Sequence, residues 1–249
     1  MVRRMVQASP EPSRPIGTAV LIHGCWGNPD DWTWVRRPLE AAGVRVETPD
    51  LPTHRSPHAT LDDDVQLVRN VIRASTPPVV CAGWSFGGDI MSLAAVGEPG
   101  VTHVVFVASV PYEPSSEPMD ASWIDADPHV LVHTDGTYGI DREWFVAEVK
   151  QQFSGEVLDH LLRTPRRRVA MATATNPPTA VGRLNVPTTV LFGRHDDGFP
   201  EDLRRSTEGK VEDVRYVDTD HFIIFHEPEA VARIVLEFLN PLDQSRAKG

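Results

Sequence analysis

Cysteine is scarce in this chain: Cys25 and Cys81 are the only two among 249 residues. Two thiols cannot staple a small disulfide framework, and such sparing use fits a reducing compartment, so the expected location is cytoplasmic. A Cys25–Cys81 bridge is conceivable, but the same redox argument weighs against it. Long apolar runs are also missing. No stretch approaches the ~20 apolar residues that cross a bilayer, and Met1 to Pro15, despite Arg3, Arg4 and Arg14, lacks the apolar core of a signal peptide. Positive charge is the third shortage, with 24 Lys+Arg against 35 Asp+Glu and a net charge of −11. That sign repels phosphate backbones and anionic membrane surfaces. No nucleic acid and no membrane are therefore expected as partners, and the charge keeps a monomer or small homo-oligomer in solution.

The chain does have material for a core, since 41% of its residues are hydrophobic and an ordinary 24% are charged. One stretch organises the rest. Val79-Val80-Cys81-Ala82 leads into Gly83-Trp84-Ser85-Phe86-Gly87-Gly88, and Asp89 to Ala95 continues with apolar residues three and four apart. The pattern is a buried strand, a sharp turn and a helix, with Ser85 at the turn. In such a G-x-S-x-G elbow the glycines let strand and helix approach closely, and the serine hydroxyl stands above the sheet edge. The N–H of Phe86 then opens a helix and faces any oxyanion that develops there.

Strands alternate with helices along the chain. Thr18–Ile22, Val44–Thr48, Thr102–Ala108, Val186–Phe192 and Val211–Val217 read as further strands, and helices are expected from Asp30 to Ala42, Leu61 to Ala74 and Pro228 to Leu239. This order predicts an α/β fold with a roughly six-stranded, mostly parallel sheet flanked by helices. Residues 111–183 break the rhythm. They hold an expected hairpin around Asp135-Gly136 and helical stretches at Arg142–Phe153, Glu156–Arg163 and Arg166–Thr173. The expected organisation is a core of residues 16–110 and 184–241, a lid inserted at 111–183 over the strands' C-terminal ends, and flexible termini at 1–15 and 242–249.

A serine hydroxyl becomes a nucleophile when an imidazole takes its proton, and the imidazole needs a carboxylate to fix its tautomer. Both follow Ser85 in the order acid, then histidine. Of ten histidines, His221 alone follows the final strand and precedes the closing helix, whereas His195 adjoins the acid and His226 is nearly helical. Asp196, three residues past Gly193, is preferred as the acid over Asp197. Asp218 and Asp220 read as turn formers, and Glu113 is the remote alternative. The loop after the first strand, His23-Gly24, makes the N–H of Cys25 the second oxyanion donor beside Phe86, with His23 itself structural. Trp26, Trp123, Tyr138, Trp144, Phe145 and Phe222 are candidates to line an apolar pocket, and Arg166-Arg167-Arg168 read as a solvated helix face. The chemistry requires no metal and no cofactor.

The set Leu21-Ile22-His23-Gly24, Gly83 to Gly88, Gly193-Arg194-His195-Asp196 and Asp220-His221 resembles the α/β-hydrolase superfamily from Thr18 to Leu239. The short segment before the first strand leaves no room for the usual leading strand pair. In that respect, and in its run from His23 through Trp32, the chain is similar to the compact branch of plant methylesterases and hydroxynitrile lyases. In the lyases, the resemblance implies a threonine after the first histidine and a lysine after the catalytic one. Here those positions are Gly24 and Phe222, which disfavours a lyase. The resemblance implies a serine esterase, of the carboxylic-ester hydrolase class, acting on a small hydrophobic ester-like substrate. Lactone opening, C–C bond cleavage by the same triad and a non-catalytic ligand-binding role stand as alternatives.

Overall fold

The computed structural model describes residues 16–112, 122–179 and 182–240. The expected flexible termini and Glu113 lie outside them. Six strands form the main sheet: β1 (Thr18–Ile22), β2 (Arg45–Glu47), β3 (Val79–Trp84), β4 (Val101–Val107), β8 (Thr188–Gly193) and β9 (Asp213–Val217). Their spatial order is β2-β1-β3-β4-β8-β9, and every pairing is parallel.

Both faces of this sheet are covered, which is why its central strands read as continuous apolar runs rather than as alternations. The strand period still sorts the side chains. Ala19, Leu21, Val80, Ala82, Val105 and Val107 face α1 (Thr33–Ala41) and α10 (Pro228–Leu239). Val20, Ile22, Val79, Cys81, Val104 and Phe106 face α2 (Leu61–Ala74) and α3 (Phe86–Ala94). Helix α2 starts where Thr60 and Asp63 form a capping box: the Asp63 amide donates to Thr60 Oγ1, and the Thr60 amide donates to the Asp63 carboxylate. Both cysteines are free thiols.

Between β4 and β8 the chain adds α4 (Ser122–Ala126), β5 (Val130–Val132), β6 (Thr137–Ile140), α5 (Arg142–Gln152), α6 (Gly155–Arg163), β7 (Val169–Ala170) and α7 (Ala172–Thr175). Strands β5, β6 and β7 make a small antiparallel sheet. This segment shares the main core, because Phe145, Val149, Phe153 and Leu161 pack in one cluster with α1 and α10.

The expected helix over Arg166–Thr173 is corrected here. Residues 165–168 are irregular, β7 pairs with β6, and only the short α7 follows. Of the three arginines only Arg168 is exposed as a solvated face would be. Arg166 forks onto the fully buried Asp31 at 2.9 and 3.0 Å, Arg167 pairs with Asp50, and Arg168 reaches Asp135 at 3.2 Å. Three carboxylates in different directions hold an open backbone that a helix could not supply. Two further helices, α8 (Glu201–Glu208) and α9 (Ile223–His226), complete the chain.

Candidate active site

Parallel strands end on one edge of the sheet, and the predicted residues gather there. Ser85 ends β3 and precedes α3 with φ 52° and ψ −126°, a left-handed conformation that costs a non-glycine residue free energy and aims its side chain away from both elements. Its amide is fixed by the Val107 carbonyl at 3.0 Å, and its own carbonyl accepts the Gly88 amide at 2.8 Å. The serine is thus held by backbone bonds on both sides.

His221 follows β9 and Asp196 follows β8. His221 Nδ1 donates to Asp196 Oδ2 at 2.8 Å, while the other carboxylate oxygen accepts the Gly198 amide at 3.0 Å. Asp196 is 2% exposed, so this bond is shielded from water. With the Nδ1 proton committed to the carboxylate, the neutral ring keeps its Nε2 lone pair free to accept another proton. The two loops fit against each other closely: a Cβ at Gly193 would lie 2.3 Å from the Asp220 carbonyl oxygen, so only glycine permits the approach. The histidine loop is tied to the serine elbow as well, because Trp84 Nε1 donates to the His221 carbonyl at 2.9 Å.

The loop after β1 closes over the same point. A Cβ on Gly24 would stand 3.2 Å from Ser85 Cβ, which puts this loop in contact with the serine. The Phe86 amide is the first of α3 and has no carbonyl one turn earlier to bond. His23 Nδ1–H donates to the Gly24 carbonyl at 3.1 Å, and Nε2 accepts the Leu51 amide at 3.3 Å. Burial lowers its pKa to about 4, so it is a neutral brace for the loop. Among the described residues no group of three or more His, Cys, Asp and Glu could hold a metal ion.

A model of the alpha/beta hydrolase family matches residues 19–234. The chain belongs to this family. Solved members of similar fold include a pyrethroid hydrolase from Sphingobium faniae JZ-2, with TM-score 0.71, 19% identity, and coverage of 90% of this chain and 97% of that one. Polyneuridine aldehyde esterase gives TM-score 0.68 at 22% identity over 90% and 99% of the two chains. The methylesterase MES16 from Arabidopsis gives 0.65 at 17% identity over 88% and 97%. No curated protein sequence matches the chain. At these identities the likeness is one of fold.

Within this hydrolase fold the aromatic pocket candidates divide. Trp26, Trp123 and Tyr138 pack edge to face, with ring centroids 5.8 to 6.5 Å apart. Tyr138 Oη lies 3.6 Å from Cys25 Sγ, so this group adjoins the loop after β1. Phe222 lies beside His221, against Trp84 and Phe153. Trp144 instead stacks on His129 at 4.5 Å. Phe145 is buried with the main core under Arg166 and lines a small cavity with Leu161 and Arg166.

Arg166 and His160 bring the inserted segment to the β1 loop through Asp31. Burial alone would raise this carboxyl, but the Arg166 charge, with bonds from His160, Arg166 and the Asn28 amide, holds it at about 2. One acid near the site escaped the sequence reading. Asp89, in the first turn of α3, is pushed up to about 7 by burial. Burial likewise raises Cys25 to about 12, and the Asp89 charge adds to that rise. An acid in a helix's first turn looks like ordinary dipole complementarity in sequence, which is why the pattern gave no signal.

Proposed function

We propose that the protein is a serine hydrolase that cleaves a carboxylic ester, or a related acyl bond, of a small hydrophobic substrate. The observation that carries this reading is the shielded His221–Asp196 bond at 2.8 Å on the rim that bears the strained Ser85. His221 takes the Ser85 proton as Oγ attacks the substrate carbonyl. The Cys25 and Phe86 amides hold the oxyanion, the alcohol leaves with the proton from Nε2, and an acyl-enzyme remains on Ser85. Water activated by the same nitrogen then releases the acid and restores the serine. The inserted segment serves as the lid, and Trp26, Trp123, Tyr138 and Phe222 contact the substrate's apolar part. The reading places the enzyme in the cytoplasm as a monomer or small homo-oligomer and in the carboxylic-ester hydrolase class, with no cofactor.

The test is labelling by a fluorophosphonate probe together with hydrolysis of p-nitrophenyl acetate, butyrate and octanoate. Wild type is expected to label and turn over, and folded Ser85→Ala to do neither. Turnover that persists in Ser85→Ala would refute the assignment.

A further inference from the structure

The Cys25 amide, the second oxyanion donor of the proposed reaction, is held by contacts that reach beyond its own loop. It shares a peptide plane with the Gly24 carbonyl, so whatever fixes that carbonyl sets the direction of the N–H. His23 Nδ1 and the Gly27 amide both donate to the Gly24 oxygen at 3.1 Å, which closes a turn over residues 24–27. Trp26, inside that turn, has φ 58°, a left-handed conformation that a tryptophan keeps only when its surroundings impose it. Two of the imposing contacts come from the inserted segment. The Trp26 carbonyl accepts the Arg167 amide at 2.9 Å. Beyond the turn, Asp31 Oδ2 accepts the Asn28 amide at 3.1 Å and Arg166 Nη1 at 3.0 Å, and a Cβ on Gly27 would lie only 2.7 Å from the same oxygen.

Asp31 is fully buried and keeps its place because both of its oxygens are engaged, Oδ1 by Arg166 Nη2 at 2.9 Å and by His160 at 3.4 Å. Without the arginine fork the carboxylate could turn, and the Asn28 amide and the turn behind it would lose their stop. We infer that Arg166 is a positioning residue: through Asp31 it holds the 24–27 turn so that the Cys25 N–H faces the oxyanion, which makes the inserted segment part of the catalytic geometry. This inference rests on the reading of Ser85 as an ester-cleaving nucleophile. A shift of residues 166–167 therefore carries to the oxyanion donor.

The double variant Asp31→Asn/Arg166→Met cuts the tie without leaving a buried charge, and the amide oxygen at position 31 can still cap Asn28. It is compared with wild type on p-nitrophenyl butyrate, at a temperature well below both melting transitions. Its kcat is expected to fall roughly 10–10²-fold with KM nearly unchanged, as for an oxyanion donor displaced rather than removed. Affinity for a trifluoromethyl ketone analogue, whose adduct on Ser85 bears the oxyanion, should fall by a similar factor. Arg168→Gln, which breaks an exposed pair in the same segment, should leave kcat unchanged. Arg166→Lys, which keeps the charge and loses the fork, serves if the double variant does not fold. In ¹H–¹⁵N spectra the Cys25 amide should shift in either variant. A folded variant with undiminished kcat and only a lower melting temperature, or an unshifted Cys25 amide, overturns the inference. The amide signal also separates it from the esterase reading. An inactive wild type whose Cys25 amide shifts on loss of the fork keeps the tie and removes the chemistry, whereas an active wild type with an active variant removes the role of Arg166 alone.

Discussion

Asp196 and His221 divide one imidazole between two tasks, since the proton on Nδ1 fixes the ring and leaves Nε2 for chemistry. An asparagine at 196 fills the same space but can present an N–H to Nδ1, which favours the wrong tautomer. Asp196→Asn should lower kcat/KM by roughly 10²–10⁴-fold. Its thermal melting should stay near that of wild type, which a steady-state assay paired with a melting curve checks. Asp89 gives a prediction of opposite character. Its pKa is raised in the fold to about 7 from an ordinary 3.8, so the folded state holds the proton more tightly than the unfolded chain. The stability it contributes is present below pH 3.8 and is lost as pH rises through about 7. Asparagine does not titrate. The melting temperature of Asp89→Asn should therefore gain on wild type progressively across that window and hold its gain above it. A difference independent of pH would show that the carboxyl is not desolvated.

At the scale of elements, the inserted segment is anchored to the β1 loop by Arg166 on Asp31, and this contact connects two parts of the chain far apart in sequence. Arg166→Met would leave Asp31 charged and fully buried without its counter-ion, at a cost of about 3–5 kcal/mol. Combining it with Asp31→Asn should recover much of that loss in chemical denaturation. Simple additivity of the two variants would contradict the coupling. The same region marks where sequence reading failed. Helix α2 was legible to its ends because Thr60, Asp63 and an apolar stripe all act locally. The Arg166–Arg168 run looked helical and solvated because its partners Asp31, Asp50 and Asp135 are distant in sequence. Helix α8 went unseen since Leu203 is its sole large apolar residue, too little for a periodic signal.

For the whole molecule, the parallel six-stranded order follows from alternating strand and helix segments, with the central strands buried on both faces and the edge strands β2 and β9 only partly so. The triad candidates were legible because each sits just past a strand end, where backbone topology alone brings them to one rim. The grouping of the aromatic residues was not legible. Trp26, Trp123 and Tyr138 converge, while Phe145 joined the core, and nothing in local pattern distinguishes a ring that turns inward from one that faces a cleft. The central claim is that hydrolysis proceeds through an acyl group on Ser85. Rapid mixing of the enzyme with p-nitrophenyl butyrate, quenched in acid and followed by mass spectrometry of the digest, tests it most directly. A burst of p-nitrophenol and a butyryl mass on the peptide containing Ser85 are predicted, both absent in Ser85→Ala. Steady turnover with an unmodified Ser85 peptide, undiminished in Ser85→Ala, would contradict the account.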